Sequence, residues 1–138
     1  MKLNFKLFMV GFMALIWLST SVYAGSLTAP ELDVPKDKAK NQVLTTLLKW
    51  KLVPGAKSYR IFVSGSADIL KNLVPGAACK DCFVDEKSDI PTYQIPPKRF
   101  KKDIPYFWTV RAVSGTEEGP IATIRSYTMA SIFFMDMD

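Results

Sequence analysis

The closest-set reactive side chains in the chain are Cys79 and Cys82, in the run Cys79-Lys80-Asp81-Cys82. Two thiols at this spacing can close a small disulfide loop, cycle as a redox dithiol, or lend two thiolates to a metal. A dithiol of the thioredoxin kind needs a helix N-terminus to stabilise its thiolate, yet this pair follows Pro75-Gly76 and no helical pattern comes after Cys82. A metal would have to complete its shell with Asp81 or Asp85, because the chain holds no histidine. The expected role is a disulfide pinning a long connection in an oxidising compartment, with dithiol redox chemistry as its rival. No metal and no cofactor are expected.

The missing histidine removes the usual general base near neutral pH, and with it the Ser-His-Asp and Cys-His arrangements. The expectation is a protein that is not an enzyme. Glu117 and Glu118 do not restore acid–base chemistry: adjacent in the polar loop 114–120, they read as solvated turn residues.

A second cluster, Lys98-Arg99-Phe100-Lys101-Lys102, sets four cations around one aromatic ring. It could hold an anionic polymer, a membrane surface or an acidic protein, or it could be a solvated corner beside Pro96-Pro97. The whole chain carries a formal charge of +5. Two of those cations, Lys2 and Lys6, lie in the first 24 residues, and the excess left in the rest of the chain is too weak to imply a nucleic-acid partner.

These groups need elements to position them, and the first 24 residues are not among those elements. Lys2 and Lys6 form a positive start, residues 7–18 an uncharged apolar run, and Val22-Tyr23-Ala24 a small-residue cleavage site before Gly25. That is the pattern of a secretory signal, cleaved after Ala24 to leave an exported protein, periplasmic or secreted. The rival is an uncleaved anchor, although the apolar run is shorter than the roughly 20 residues a spanning helix needs.

The 138 residues leave room for one domain after that segment. Residues 25–41 read as a leader with one edge strand near Leu32–Val34, where Pro30 and Pro35 confine it to an edge. Leu44, Thr46, Leu48, Trp50 and Leu52 alternate with Lys49 and Lys51, which gives a strand with an aromatic anchor. After the Pro54-Gly55 turn, Tyr59, Ile61 and Val63 alternate with Arg60 and Phe62 in a second strand. Residues 67–74 suit a helical turn or an irregular edge strand equally. Residues 75–91 read as a long connection, 92–95 as a short strand, 106–113 as the clearest strand, and 121–129 as a closing one. Repeated short strands predict an all-β sandwich over 42–129, with 130–138 as a C-terminal tail.

Leu48-x-Trp50, then Val53-Pro54-Gly55-Ala56-x-x-Tyr59-x-Ile61-x-Val63, then Tyr106-x-Trp108-x-Val110-x-Ala112-Val113, then Glu118-Gly119-Pro120 resembles a fibronectin type III domain. The resemblance covers about 28–129. It implies an immunoglobulin-like β-sandwich of about seven strands, with Trp50 between the sheets and Tyr106 at the corner entering its strand, its hydroxyl bonded to backbone. The 67–91 stretch is longer than the family's usual connection.

In such a sandwich the strands at 59–63 and 106–113 are neighbours, so the residues facing away from the core share one surface. These are Arg60 and Phe62 with Phe107, Thr109 and Arg111. Aromatic and arginine side chains dominate binding hot spots, which makes this face a candidate protein-binding surface. Alternatively the apolar tail Ser131-Ile132-Phe133-Phe134-Met135 folds back over it. The expected function is an exported, non-catalytic binding module acting on a protein partner, against two rivals: a thiol-redox protein and a membrane-anchored structural component.

Overall fold

The computed structural model describes residues 26–96, 100–101 and 103–130. Residues 1–25, expected to hold an export signal, with Lys98, Arg99, Lys102 and the tail 131–138, lie outside the described residues. Among the described residues nine strands and one short helix follow in the order β1 (Leu32–Val34), β2 (Ala39–Gln42), β3 (Leu47–Trp50), β4 (Ser58–Ser64), α1 (Ala67–Lys71), β5 (Val84–Ser88), β6 (Thr92–Gln94), β7 (Pro105–Ser114), β8 (Glu117–Ile121) and β9 (Arg125–Met129).

One sheet runs β1-β3-β6, and the other runs β2-β9-β7-β4-β5 with β8 also on β7. The nine strands follow seven paths. β8 and β9 lie one after the other along the same edge of β7, at Arg111–Ser114 and Pro105–Trp108 respectively. β1 and β2 are likewise one path that changes sheets: β1 pairs β3, and β2 then pairs β9 in parallel. Between them Arg125 Nη1 donates to the carbonyls of Asp33 and Pro35, and Lys38 N donates to the Ser126 carbonyl at 2.8 Å. The segment expected to be a leader therefore supplies strands to both sheets, and a boundary at 41/42 cuts through β2.

Alternation explains what each strand buries. Leu48 and Trp50 of β3 point inward, Leu47 and Lys49 outward; Tyr59, Ile61 and Val63 of β4 meet Ala112, Val110 and Trp108 of β7 in register. These residues form the inter-sheet core, with Trp50 and Tyr59 in edge-to-face contact at 5.4 Å. Leu52, expected on the same face as Trp50, is exposed, because β3 ends at Trp50 and the chain turns away.

The turn at Pro54-Gly55 forms as its residues require. Gly55 has φ of 81°, and Ala56 N donates to the Val53 carbonyl at 3.1 Å, the closure of a turn with proline then glycine at its centre. Val53 N also donates to the Tyr59 hydroxyl at 2.9 Å in a buried bond. Tyr59→Phe leaves that N–H without its acceptor and is expected to cost about 1–3 kcal/mol. The check is a lower urea midpoint at unchanged slope.

Two sequence expectations change here. The stretch read as a plain 75–91 connection contains β5, paired in full with β4 from Tyr59↔Ser88 to Val63↔Val84. The loop 114–120 is mostly strand: Ser114 pairs with Glu117 across a two-residue turn in which Gly115 takes φ of 61°, and β8 follows.

Candidate functional site

β4 and β7 are neighbours in register, with Arg60 opposite Arg111, Phe62 opposite Thr109 and Ser64 opposite Phe107. Alternation places all six on the outward side of the sheet, the face singled out from the sequence. That face is not open. Phe62 is 1% exposed, Thr109 0% and Arg111 3%, while Arg60 and Phe107 are half-buried. Phe62 and Leu70 are sealed from solvent yet form no part of the inter-sheet core, so they define a second, smaller core outside the sandwich.

Among the described residues the cover is α1, which contacts both β4 and β7, together with the segment after it, whose Gly76, Ala77 and Cys79 are bonded to side chains of the sheet. α1 carries Asp68 in its first turn and Lys71 in its last, each suited to its end of the helix, and it buries Leu70. The ambiguity at 67–74 thus resolves as a helix.

Beneath this cap four charged side chains close a network. Arg60 makes a two-pronged contact with Asp85, Nε to Oδ1 at 2.8 Å and Nη2 to Oδ2 at 2.7 Å, and its Nη1 reaches Glu118 Oε1 at 3.1 Å. Arg111 Nη1 donates to Glu118 Oε2 at 3.0 Å. Both guanidinium groups also lie near the Phe62 ring, at 4.9 Å and 6.0 Å from its centroid. Glu118 is therefore not a solvated turn residue. β8 pairs Glu118 with Val113, whose side of β7 also carries Arg111, and this aims its carboxylate at both arginines.

The same groups hold the cap. Gly76 N donates to Glu118 Oε2 at 2.7 Å, Arg60 Nη2 donates to the Ala77 carbonyl at 2.8 Å, and Cys79 N donates to Asp85 Oδ2 at 2.8 Å. Burial pushes the Glu118 carboxyl up, but the Gly76 N–H, Arg111 and Arg60 outweigh it and hold its pKa below the ordinary carboxylate value. The hydrogen bond from Arg60 to Asp85 raises the Arg60 pKa against the opposing effect of burial. No sequence signal marks Glu118 and Asp85 as partners of the arginines, since they reach the site only through two strands hidden in apparent loops.

Cys79 and Cys82 are bonded to each other. The chain after them enters β5 rather than a helix, and Phe83 N donates to the Val63 carbonyl at 2.8 Å. Among the described residues no helix begins at the pair to stabilise a thiolate there. Among the described residues no three His, Cys, Asp or Glu side chains gather in a way that could hold a metal ion.

The basic corner divides. Lys98, Arg99 and Lys102 are outside the described residues, and Lys101 is exposed. Phe100 is a core residue rather than a binding aromatic: its ring stacks edge-on to Tyr106 at 4.6 Å, and Phe83 adds a third ring 5.7 Å from Tyr106. The Tyr106 hydroxyl accepts from Lys101 N at 2.6 Å. The expected tyrosine corner is present, and it ties down the backbone at Lys101.

The strand order, the Trp50 core and the tyrosine corner define an immunoglobulin-like β-sandwich of fibronectin type III type, with one outer face capped by its own chain. No protein-family model matches the chain, and no curated protein matches it. Among solved structures it is similar to a part of the alpha-L-rhamnosidase from Dictyoglumus thermophilum, at 16% identity and a TM-score of 0.53, covering 76% of this chain and 12% of that one. This likeness is one of fold, and the chain spans only that small share of the rhamnosidase. It is also similar to an Fn3-like protein from Clostridium thermocellum, at 17% identity and a TM-score of 0.46, covering 78% of this chain and 94% of that one. The sixth fibronectin type III domain of human fibronectin type III domain containing protein 3 aligns at 14% identity with a TM-score of 0.48, covering 77% and 86%.

Proposed function

We propose that this chain is an exported, non-catalytic β-sandwich module that works by binding another protein, in the cell envelope or outside the cell. The export pattern of the first 24 residues supports the compartment. The binding role rests on one observation: with the β4–β7 face closed by the cap, the outward face of β1-β3-β6 is left with exposed apolar side chains. Leu47 is 47% exposed and Val34 39% exposed, on either side of Lys49, which pairs with Val34 and Thr92. Apolar groups set around a long cation suit the centre of a protein contact better than a solvated sheet.

The test is capture from envelope extracts with the native protein as bait. Wild type is expected to retain a partner, Leu47→Asp to lose it at unchanged stability, and mass spectrometry of the bait to find an amino terminus at Gly25. Failure of wild type to capture anything, or equal capture by Leu47→Asp, ends the binding reading. A native amino terminus at Met1 ends the cleavage reading and favours a membrane anchor.

A further inference from the structure

We infer that the Cys79–Cys82 disulfide is a redox-controlled latch, whose reduction by a dithiol releases the cap and uncovers the Arg60–Phe62–Arg111 face. The inference does not depend on the partner reading above, because it concerns the opposite sheet.

The argument begins with how little else holds the cap. α1 has only five residues and is too short to be stable by itself, so it persists by burying Leu70 against the sheet. Beyond it Ser64 Oγ donates at a long 3.5 Å to the Asp81 carbonyl, and among the described residues the chain is otherwise joined to the sheet, as far as the first cysteine, by three hydrogen bonds, from Gly76 N, to the Ala77 carbonyl and from Cys79 N. All three fall on four consecutive residues ending at the first cysteine. Val74, just before them, is 61% exposed and Leu73 is only partly buried, so this stretch adds little burial.

The second cysteine is held from the other side. Phe83 N is bonded to the Val63 carbonyl and Val84 opens β5, so Cys82 is fixed to the edge of the sheet. The disulfide therefore ties the weakly held part of the cap to an edge strand that is paired with β4 along its whole length. It sets Cys79 where its N–H meets Asp85, two and three residues after the Arg60 and Glu118 contacts of the same segment.

What the cap hides is unlike an ordinary protein interior. Phe62 lies under two guanidinium groups, and both carboxylates that neutralise them belong to the sheet. Lifting the cap leaves that charge network intact on β4, β5, β7 and β8 and exposes an aromatic ring beside it. The face is thus built to survive opening.

The chemistry is thiol–disulfide exchange. A thiolate of the external dithiol attacks one sulfur of Cys79–Cys82 and forms a mixed disulfide, and its second thiol then displaces the protein. Two electrons and two protons pass to the cysteines, which leave as two thiols, while the dithiol departs as its own disulfide. An exported thiol reductant or oxidant of this class would set the position of the latch.

Hydrogen exchange of the purified full chain tests the inference, with dithiothreitol as the dithiol. On reduction the amides of Gly76, Ala77 and Cys79 are expected to exchange about 20-fold faster, the loss of order expected when so short a loop is freed. Ile61 and Val110 in the core should keep their rates, and hydroxyl-radical labelling of Phe62 should rise from its sealed level. Cys79→Ser/Cys82→Ser should show the open behaviour without reductant, and reoxidation of the wild type should restore the closed one. Unchanged exchange in the cap, or an equal acceleration of Ile61 and Val110, overturns the latch, as does an open cap in wild type before any reduction.

Discussion

Replacing Glu118 with alanine is expected to destabilise the protein by about 3–4 kcal/mol, because it strands a buried arginine. The side chain of Arg111 is 4% exposed, its Nη1 has Glu118 as its acceptor, and its Nε has no hydrogen-bond partner among the described residues. Without Glu118 this charge loses the carboxylate bonded to it in a sealed site, while Arg60 keeps its fork on Asp85. Gly76 N loses its acceptor at the same time, so the cap loosens. Thermal unfolding should begin about 15 °C lower. Adding Arg111→Met to Glu118→Ala should recover part of the loss, since the penalty lies in the unpaired charge rather than in the missing contact. A Glu118→Ala protein within 1 kcal/mol of wild type would refute the buried network.

The same carboxylate makes stability depend on pH with a definite sign. Its folded pKa lies below the ordinary value of 4.5, so between the two the unfolded chain binds the extra proton. The contribution is present in full above the unfolded pKa and is lost as pH falls through the folded one. The loss should therefore begin below about pH 4.5, and Glu118→Gln should remove that part of the acid sensitivity.

The core was legible because its strands follow one simple rule. Alternation set Trp50, Tyr59, Ile61, Trp108 and Val110 on the inward side without any knowledge of their partners, and the Pro54-Gly55 turn fixed where one strand gives way to the next. β5 and β8 escaped notice for a physical reason. Val84-Asp85-Glu86-Lys87-Ser88 and Glu117-Glu118-Gly119-Pro120-Ile121 are strands by virtue of their ladder bonds to β4 and β7, not of an apolar face. Their short polar sequences have no period to read. Since Asp85 and Glu118 sit on these two strands, the charge network was hidden with them. The arginines themselves were found, on the correct side of the correct strands, but the pattern of one strand cannot say whether its outward side meets solvent or a cap delivered from a distant loop.

Phe62 decides between those alternatives. On an exposed binding face, Phe62→Ala would leave stability within about 0.5 kcal/mol and reduce capture of a partner. Beneath the cap it should instead cost about 3–5 kcal/mol, the range for deleting a buried phenylalanine ring, because the ring is 1% exposed and two guanidinium groups rest near it. Part of that loss arises as Arg60 and Arg111 lose their aromatic contact while remaining paired with Asp85 and Glu118. Chemical denaturation should show the midpoint falling steeply, and Leu47→Ala on the opposite, open sheet should leave it unchanged within about 0.5 kcal/mol. A small effect at Phe62 accompanied by lost capture would return the face to solvent and to a partner. A large effect with capture intact would mean that the arginine-flanked ring serves as the floor of the cap, and that the sheet bearing Leu47 and Val34 is where a partner must be sought.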